Sequence, residues 1–258
     1  MNKLKNLTMA AVVLCATTIT GCLHIIEEAT FRNNGSGTYK MTVDMGELKG
    51  MMEMMKGMGD MEGMGGDSTE ISDGGDYTPP ADGEEDASNP MSGLGKEFSG
   101  VAESLKNLPG ISNVTEINDT STFNFGYSFD FVDVNALNRA LKVVGKEKYD
   151  SKNEETFKFN GKSFERLGVG DLGAEIKKAL AENGGSEEEE GQMDMMKMFF
   201  TDMSYKQVYN FPDRKVKSVN NKLGEKSEDA HTVTITIKPF NEEQQKQKVS
   251  VATKIKLK

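Results

Sequence analysis

The sequence predicts an α+β fold: a twisted antiparallel sheet of hairpins with helices packed on one face, interrupted by disordered acidic linkers. Three observations carry this. Several segments alternate apolar and polar residues with the two-residue period of a half-buried strand, as in "TYKMTVDM", "TFNFGYSFDF" and "HTVTITIKPF". Others carry apolar residues at helical spacing. Two tracts are too acidic and too poor in apolar residues to offset the entropy of ordering them.

The elements follow in chain order. Leu23, Ile25, Ala29 and Phe31 share one face of a first strand that Glu27 interrupts, and "RNNGSG" supplies the turn into a second strand with Tyr39, Met41, Val43 and Met45 on one face. A helix near Gly95 to Leu108 carries Phe98, Val101, Leu105 and Leu108, and Pro109-Gly110 ends it. A strand pair comes next, in which Phe123, Phe125, Tyr127, Phe129 and Phe131 line one face. Asp133 is placed to cap a helix whose stripe is Val134, Leu137, Leu141 and Val144. A hairpin, "ETFKFNGKSFERL", turns at Asn160-Gly161, and a helix runs from Asp171 to Ala181. After a short Met-rich helix the chain becomes all strand, through "YKQVYNFP", "KVKSVNN", "HTVTITIKPF" and "KVSVATKIKLK". Alternation on each strand leaves the sheet one wet face, so helices are expected to cover the other.

The first residues, "MNKLKNLTMAAVVLCATTITGC", have a cationic start, an apolar run from Leu7 to Ile19 and then small residues. That is the layout of a secretory signal, and it is too short for a membrane span. The end of this stretch, "ITGC", resembles the lipobox of bacterial lipoproteins. The resemblance implies cleavage before Cys22 and acylation of its thiol, so that two or three acyl chains hold the mature chain to a membrane it does not cross. Cys15 leaves with the signal and Cys22 is consumed by lipid, leaving no thiol for a disulfide or a metal. The organisation is then 1–21 signal peptide, 22–57 lipid anchor with hairpin and Met-rich helix, and 58–92 acidic linker. The segment 93–181 is the α/β part of the core domain, 182–191 a second acidic linker, and 192–258 a Met-rich helix with the C-terminal strands. The mature chain has 29 basic and 41 acidic residues, a formal charge of −12, which repels nucleic acid at long range.

Candidate chemistry is sparse. The stretch "MMEMMKGMGDMEGMGG" holds seven of the seventeen methionines, and Met55, Met58, Met61 and Met64 fall every third residue. Thioethers bind Cu(I), but such sites usually recruit His or Cys, and the two histidines, His24 and His231, are far away in sequence. Core or interface packing by flexible methionines and an apolar-ligand surface are the other readings. "GVGDLG", Gly168 to Gly173, is a literal G-x-G-x-x-G, yet the segment before it is polar and belongs to a hairpin, so Asp171 as a helix cap explains it better. Asp67, Asp73, Asp76, Asp82 and Asp86 have no calcium-loop spacing. No G-x-S-x-G, H-E-x-x-H or S-x-x-K occurs. Carboxylate pairs of the glycosidase type are unreadable among forty-one acids, and there is no Trp to stack on sugars.

Taken together, the lipobox, the immediate strand, "GSGTYKMTVDM", a Met-rich helix and "YNFPDRKVKSVNN" resemble uncharacterised envelope lipoproteins of Bacteroidetes-type bacteria and, more distantly, the LppM-type lipoprotein domain. The distant likeness implies an α+β domain with affinity for amphipathic lipid and no catalytic residues. "LHII" after Cys22 lacks the acidic stretch of surface export, and Leu23 stands where inner-membrane retention uses Asp. The resulting expectation is a lipid-anchored, non-enzymatic binding or scaffolding module at the periplasmic face of the outer membrane, without cofactor. Its partner is an envelope protein. The alternatives are a carrier or sensor of an apolar or lipid ligand, lined by Phe123 to Phe131, and Met-rich copper handling.

Overall fold

The computed structural model describes residues 23–47, 49–50, 100–145, 155–168, 202–246 and 250–258. Cys22 and the Met51 to Met64 stretch lie outside them, as do the segments read from the sequence as a signal peptide, two acidic linkers, a helix over 171–181 and a Met-rich helix after Gln192.

Eleven strands form two sheets among the described residues. The larger sheet contains β1 (His24–Phe31), β2 (Gly37–Asp44), β3 (Ile111–Asp119), β4 (Asn124–Phe131), β7 (Ser204–Asn210), β9 (Gly224–Lys226) and β10 (Thr232–Ile237), in the order β3-β4-β2-β1-β7-β10-β9. The smaller contains β5 (Phe157–Phe159), β6 (Ser163–Arg166), β8 (Val216–Val219) and β11 (Thr253–Leu257), in the order β5-β6-β11-β8. All neighbours are antiparallel except β1 and β7, which run parallel from His24↔Ser204 to Thr30↔Asn210. The expected sheet is therefore mostly but not wholly antiparallel. Two helices are short, α1 (Val134–Val144) and α2 (Glu242–Lys246), and residues 100–105 are also helical.

Local chemistry explains most boundaries. In the β1–β2 turn Gly35 takes a φ of +84°, and the Asn34 side chain accepts from the Ser36 backbone N–H. The hairpin pairs His24↔Asp44 through Phe31↔Gly37, which puts Tyr39, Met41 and Val43 on the face of Glu27 and Ala29. Asp133 caps α1 as expected, its carboxylate accepting from Ala136 N at 2.8 Å. The β5–β6 turn falls at Asn160-Gly161, where the Asn160 side chain accepts from Lys162 N and Ser163 N. Phe123 departs from expectation. It precedes β4 in a left-handed turn (φ 54°) instead of extending the strand face.

The main correction concerns the number of sheets, two instead of one. Among the described residues the smaller sheet provides much of the larger one's cover, together with α1 and Leu105 of the 100–105 helix, while the expected helices over 171–181 and after Gln192 lie outside those residues. Phe31 of β1 packs on Phe164 of β6 with ring centroids 5.0 Å apart, and Tyr209 of β7 lies 4.6 Å from Phe164. Ile255 and Leu257 of β11 and Leu137 of α1 are buried in the same core. Each such side chain contributes roughly 1.5–3 kcal/mol by leaving water. Buried Asn138 of α1 joins helix to sheet: it accepts from Phe157 N at 2.9 Å and donates to Phe157 O at 2.9 Å. It thereby occupies the free edge of β5. Alternation marks one face of each strand as apolar. It does not say that the strands belong to two sheets facing each other.

Close approach within the larger sheet sets a second requirement. A Cβ on Gly126 of β4 would collide with the Met41 carbonyl oxygen of β2. Losing the cap in Asp133→Ala is expected to lower the unfolding free energy by about 1 kcal/mol. Gly126→Ala should cost more, because backbone must shift. Urea denaturation of the two variants ranks them.

Candidate functional site

The inward register of β1 places Glu27 between Met41 of β2 and Gln207 of β7, facing the smaller sheet. Its surroundings answer the question raised by a carboxylate on an apolar face. Arg166, at the end of β6, reaches across and donates from Nε to Oε1 and from Nη2 to Oε2, both at 3.2 Å. Tyr205 and Tyr209, four residues apart on β7 and so on one face, donate their hydroxyls to Oε2 and Oε1 at 2.6 Å each. Arg166 also donates to Tyr205 Oη at 3.0 Å and to Leu167 O at 2.9 Å. Glu27 is 2% exposed and Arg166 6%. The bidentate fork is the arrangement in which a buried charge pair best repays its desolvation.

The electrostatics agree with the geometry. Burial alone pushes the Glu27 carboxyl up, but the Arg166 charge and the hydrogen bonds from Arg166, Tyr205 and Tyr209 together outweigh it and hold it below its ordinary 4.5. Burial, with the adjacent Glu27 charge, raises the hydroxyls of Tyr39, Tyr127, Tyr205 and Tyr209, which stay neutral. Burial acts to lower Arg166, but the Glu27 charge and its hydrogen bond, with Tyr205 and Tyr209, together outweigh it and hold the guanidinium protonated. A carboxylate with four donors and a depressed pKa is a poor proton acceptor. The cluster is a clamp between two sheets. Beside it Gln207 donates from Nε2 to Val251 O at 3.1 Å, while its buried Oε1 has no partner.

The remaining candidates are dispersed. His24 and His231 lie at opposite ends of the larger sheet, His24 Nδ1 with Ser204 Oγ at 2.7 Å and His231 Nδ1 with Phe211 O at 2.9 Å. No group of three or more metal-ligating His, Cys, Asp or Glu occurs among the described residues. Met55, Met58, Met61 and Met64 lie outside them, as does Cys22. Gly168 follows β6, an antiparallel strand between β5 and β11, which is not the parallel strand a dinucleotide site requires. The aromatic face of β4 is packed by the protein's own rings: Phe129 is 5.4 Å from Tyr39, Phe131 5.5 Å from Phe31, and Tyr127 6.2 Å from Phe129. Sequence reasoning met Glu27 only as an interruption. An acid on the inward register of a strand was the available signal for the clamp.

Breaking one side of the clamp should be costly. Glu27→Gln leaves Arg166 as an uncompensated buried charge and is expected to lose about 3–5 kcal/mol in urea unfolding, whereas the double variant Glu27→Leu/Arg166→Met should recover most of it. Because the folded pKa of Glu27 is depressed, its contribution is complete above about 4.5 and drains as pH falls through the lower folded value. Stability measured against pH should therefore fall less steeply below 4.5 in the double variant than in the natural chain.

No protein-family model and no curated protein matches the chain. Among solved structures the chain is similar to the folded domain of Mycobacterium tuberculosis LppM, determined by NMR. The sequence identity is 13%, the likeness covers 93% of this chain and 91% of that one, and the TM-score is 0.38.

Proposed function

We propose that this chain is a lipid-anchored module of a bacterial envelope that binds or scaffolds another envelope component without catalysing a reaction. Acylated Cys22 holds it, at the periplasmic face of the outer membrane. One observation carries the reading: the fold begins beside that residue. Leu23 already accepts a hydrogen bond from Ser204 N at 3.0 Å, and His24 opens β1, the central strand, paired on both sides. A chain that enters the sheet immediately after its anchor has no spacer. The end of the sheet bearing His24, Asp44 and Ser204 then sits against the bilayer, and the turns around Asn33, Gly161 and Asp213 face away from it.

A carrier of an apolar ligand is the second reading of the sequence. Its proposed lining, the β4 aromatic face, is packed against Phe31 and Tyr39. No described helix is long and apolar enough to cross a membrane.

The test is the intact mass of the full chain extracted from bacterial membranes, with crosslinking of the anchored form. A mass beginning at residue 22 with a diacylglyceryl addition, lost together with membrane association in Cys22→Ser, is the expected result. An unmodified, freely soluble chain would sink the anchored reading. Crosslinked neighbours expected of a scaffold should survive mild detergent.

A further inference from the structure

The formal charge of −10 conceals a strong segregation. The segments that build the smaller sheet, residues 155–168, 213–222 and 250–258, hold ten basic and three acidic residues. Arg166 is one of the ten and is buried in the clamp; β11 shows how lysines come to the outer side. Thr253, Ile255 and Leu257 point into the core, so Lys254 and Lys256 point out, and Lys258 follows. Outward Lys256 stands opposite Ser163 of β6 and Ser218 of β8. The β5–β6 turn adds Lys162, whose carbonyl accepts from Leu257 N, and Lys215 pairs with Lys258 through two backbone hydrogen bonds of 3.2 and 2.9 Å. Lys217 is exposed in β8.

Two lysines of this surface are neutralised, Lys158 by Glu155 at 3.7 Å and Lys254 by Glu165 at 3.5 Å. Lys162, Lys215, Lys217, Lys256 and Lys258 have no acidic partner within 4 Å among the described residues. Glu228 and Asp229 lie at one rim, where Asp229 is engaged by Ser227 Oγ and His231 N.

We infer that this lysine face is a binding surface for an anionic glycan polymer, one carrying repeated carboxylates. Three considerations select that occupant. The lysines gather toward the end of the fold opposite His24, and β1 alone spans roughly 26 Å at about 3.3 Å per residue. That is about three Debye lengths at physiological salt, so the face is electrically out of reach of a membrane at the anchor end. Protein interfaces centre on aromatic and other apolar residues and are poor in lysine. Here the only exposed large apolar side chain among the described residues is Val132, which follows β4 and is not in the smaller sheet. A flat array of ammonium groups with serines between them suits a repeating anion recognised by charge. It needs no ring on which a sugar would stack. The acidic remainder of the chain does not forbid this, since its long-range repulsion is screened over the same distance.

The inference rests on the anchored-module reading for the direction in which the face points and for setting a membrane aside as its occupant. Binding measured in detergent reports on the lysines whether or not Cys22 carries lipid, so either idea can fail alone. The full chain, extracted in non-ionic detergent, is titrated with polygalacturonate between about 50 and 200 mM salt, where counterion release makes affinity fall with salt. The triple variant Lys215→Gln/Lys256→Gln/Lys258→Gln should weaken binding at least about tenfold and flatten the salt dependence. A charge-matched control outside the smaller sheet, Lys40→Gln/Lys106→Gln/Lys206→Gln at exposed positions of β2, the segment after the 100–105 helix and β7, should move it less than about twofold. Equal effects of the two triples would overturn the proposal. Tighter binding to phosphatidylglycerol vesicles or to polyglutamate than to polygalacturonate at matched charge would overturn the assigned occupant. Unchanged urea midpoints confirm that both triples fold.

Discussion

The structure is organised around one constraint: Glu27, in the middle of the central strand, must be neutralised without water. Neither the larger sheet nor the smaller one can do this alone. Tyr205 and Tyr209 come from β7, the parallel neighbour of β1, and Arg166 from β6 in the opposite sheet. Any slip of β1 by one residue would turn the carboxylate out to the wet face and leave Arg166 alone in the core. The cluster thus fixes the register of β1 and the seating of one sheet upon the other. Hydrophobic burial supplies more free energy than this pair does, but it is tolerant of small displacements. A bidentate carboxylate with two tyrosine donors is not.

That constraint also accounts for why the parallel pairing of β1 with β7 matters. Residues 24 and 204 meet across 180 positions of sequence, and the alternation that identifies each strand carries no information about its neighbour. Periodicity therefore revealed β2, β4, α1 with its Asp133 cap, the Asn160-Gly161 turn and the alternation of β10, whose Val233, Ile235 and Ile237 are buried. Those features are local, set by side chains within a few residues of one another. The second sheet was hidden for the opposite reason. Phe157, Phe164, Val216 and Ile255 lie on strands of three to five residues, whose partners are fixed only by long-range packing. Asn138 was hidden too, because a polar residue on a helix looks solvent-facing until a strand edge is placed against it.

The candidate site was less legible than the fold. The sequence pointed to methionines and to Cys22, while the described part of the molecule offers a buried clamp and a lysine face. Net charge is a sum and is blind to arrangement. "KIKLK" reads as an alternating strand, and only the placement of β11 between β6 and β8 makes its outward lysines the centre of a surface instead of its edge. The same arithmetic that predicts repulsion of polyanions by the whole chain predicts attraction at that face, once distances are compared with the screening length.

The two ends of the fold are thus different in kind, and β1 connects them. At its start lies Leu23, already bonded to Ser204; at its finish the turn beyond Phe31 meets the β7–β8 turn, where Asn33 N donates to Asp213 at 2.8 Å and Arg214 donates to Asn33 at 2.8 Å. β2 pairs along all of β1, and β7 pairs with it from His24 to Thr30, so a pull along the strand loads two ladders of hydrogen bonds together, with Glu27 in the strand they share. Bonds loaded side by side must fail together, whereas bonds at a frayed end fail in turn. The proposed tether at residue 22 would pull on a strand of this kind, and the proposed far-end contact would oppose it along the same axis. The central position of β1 and the buried acid that fixes its register would then bear that load together.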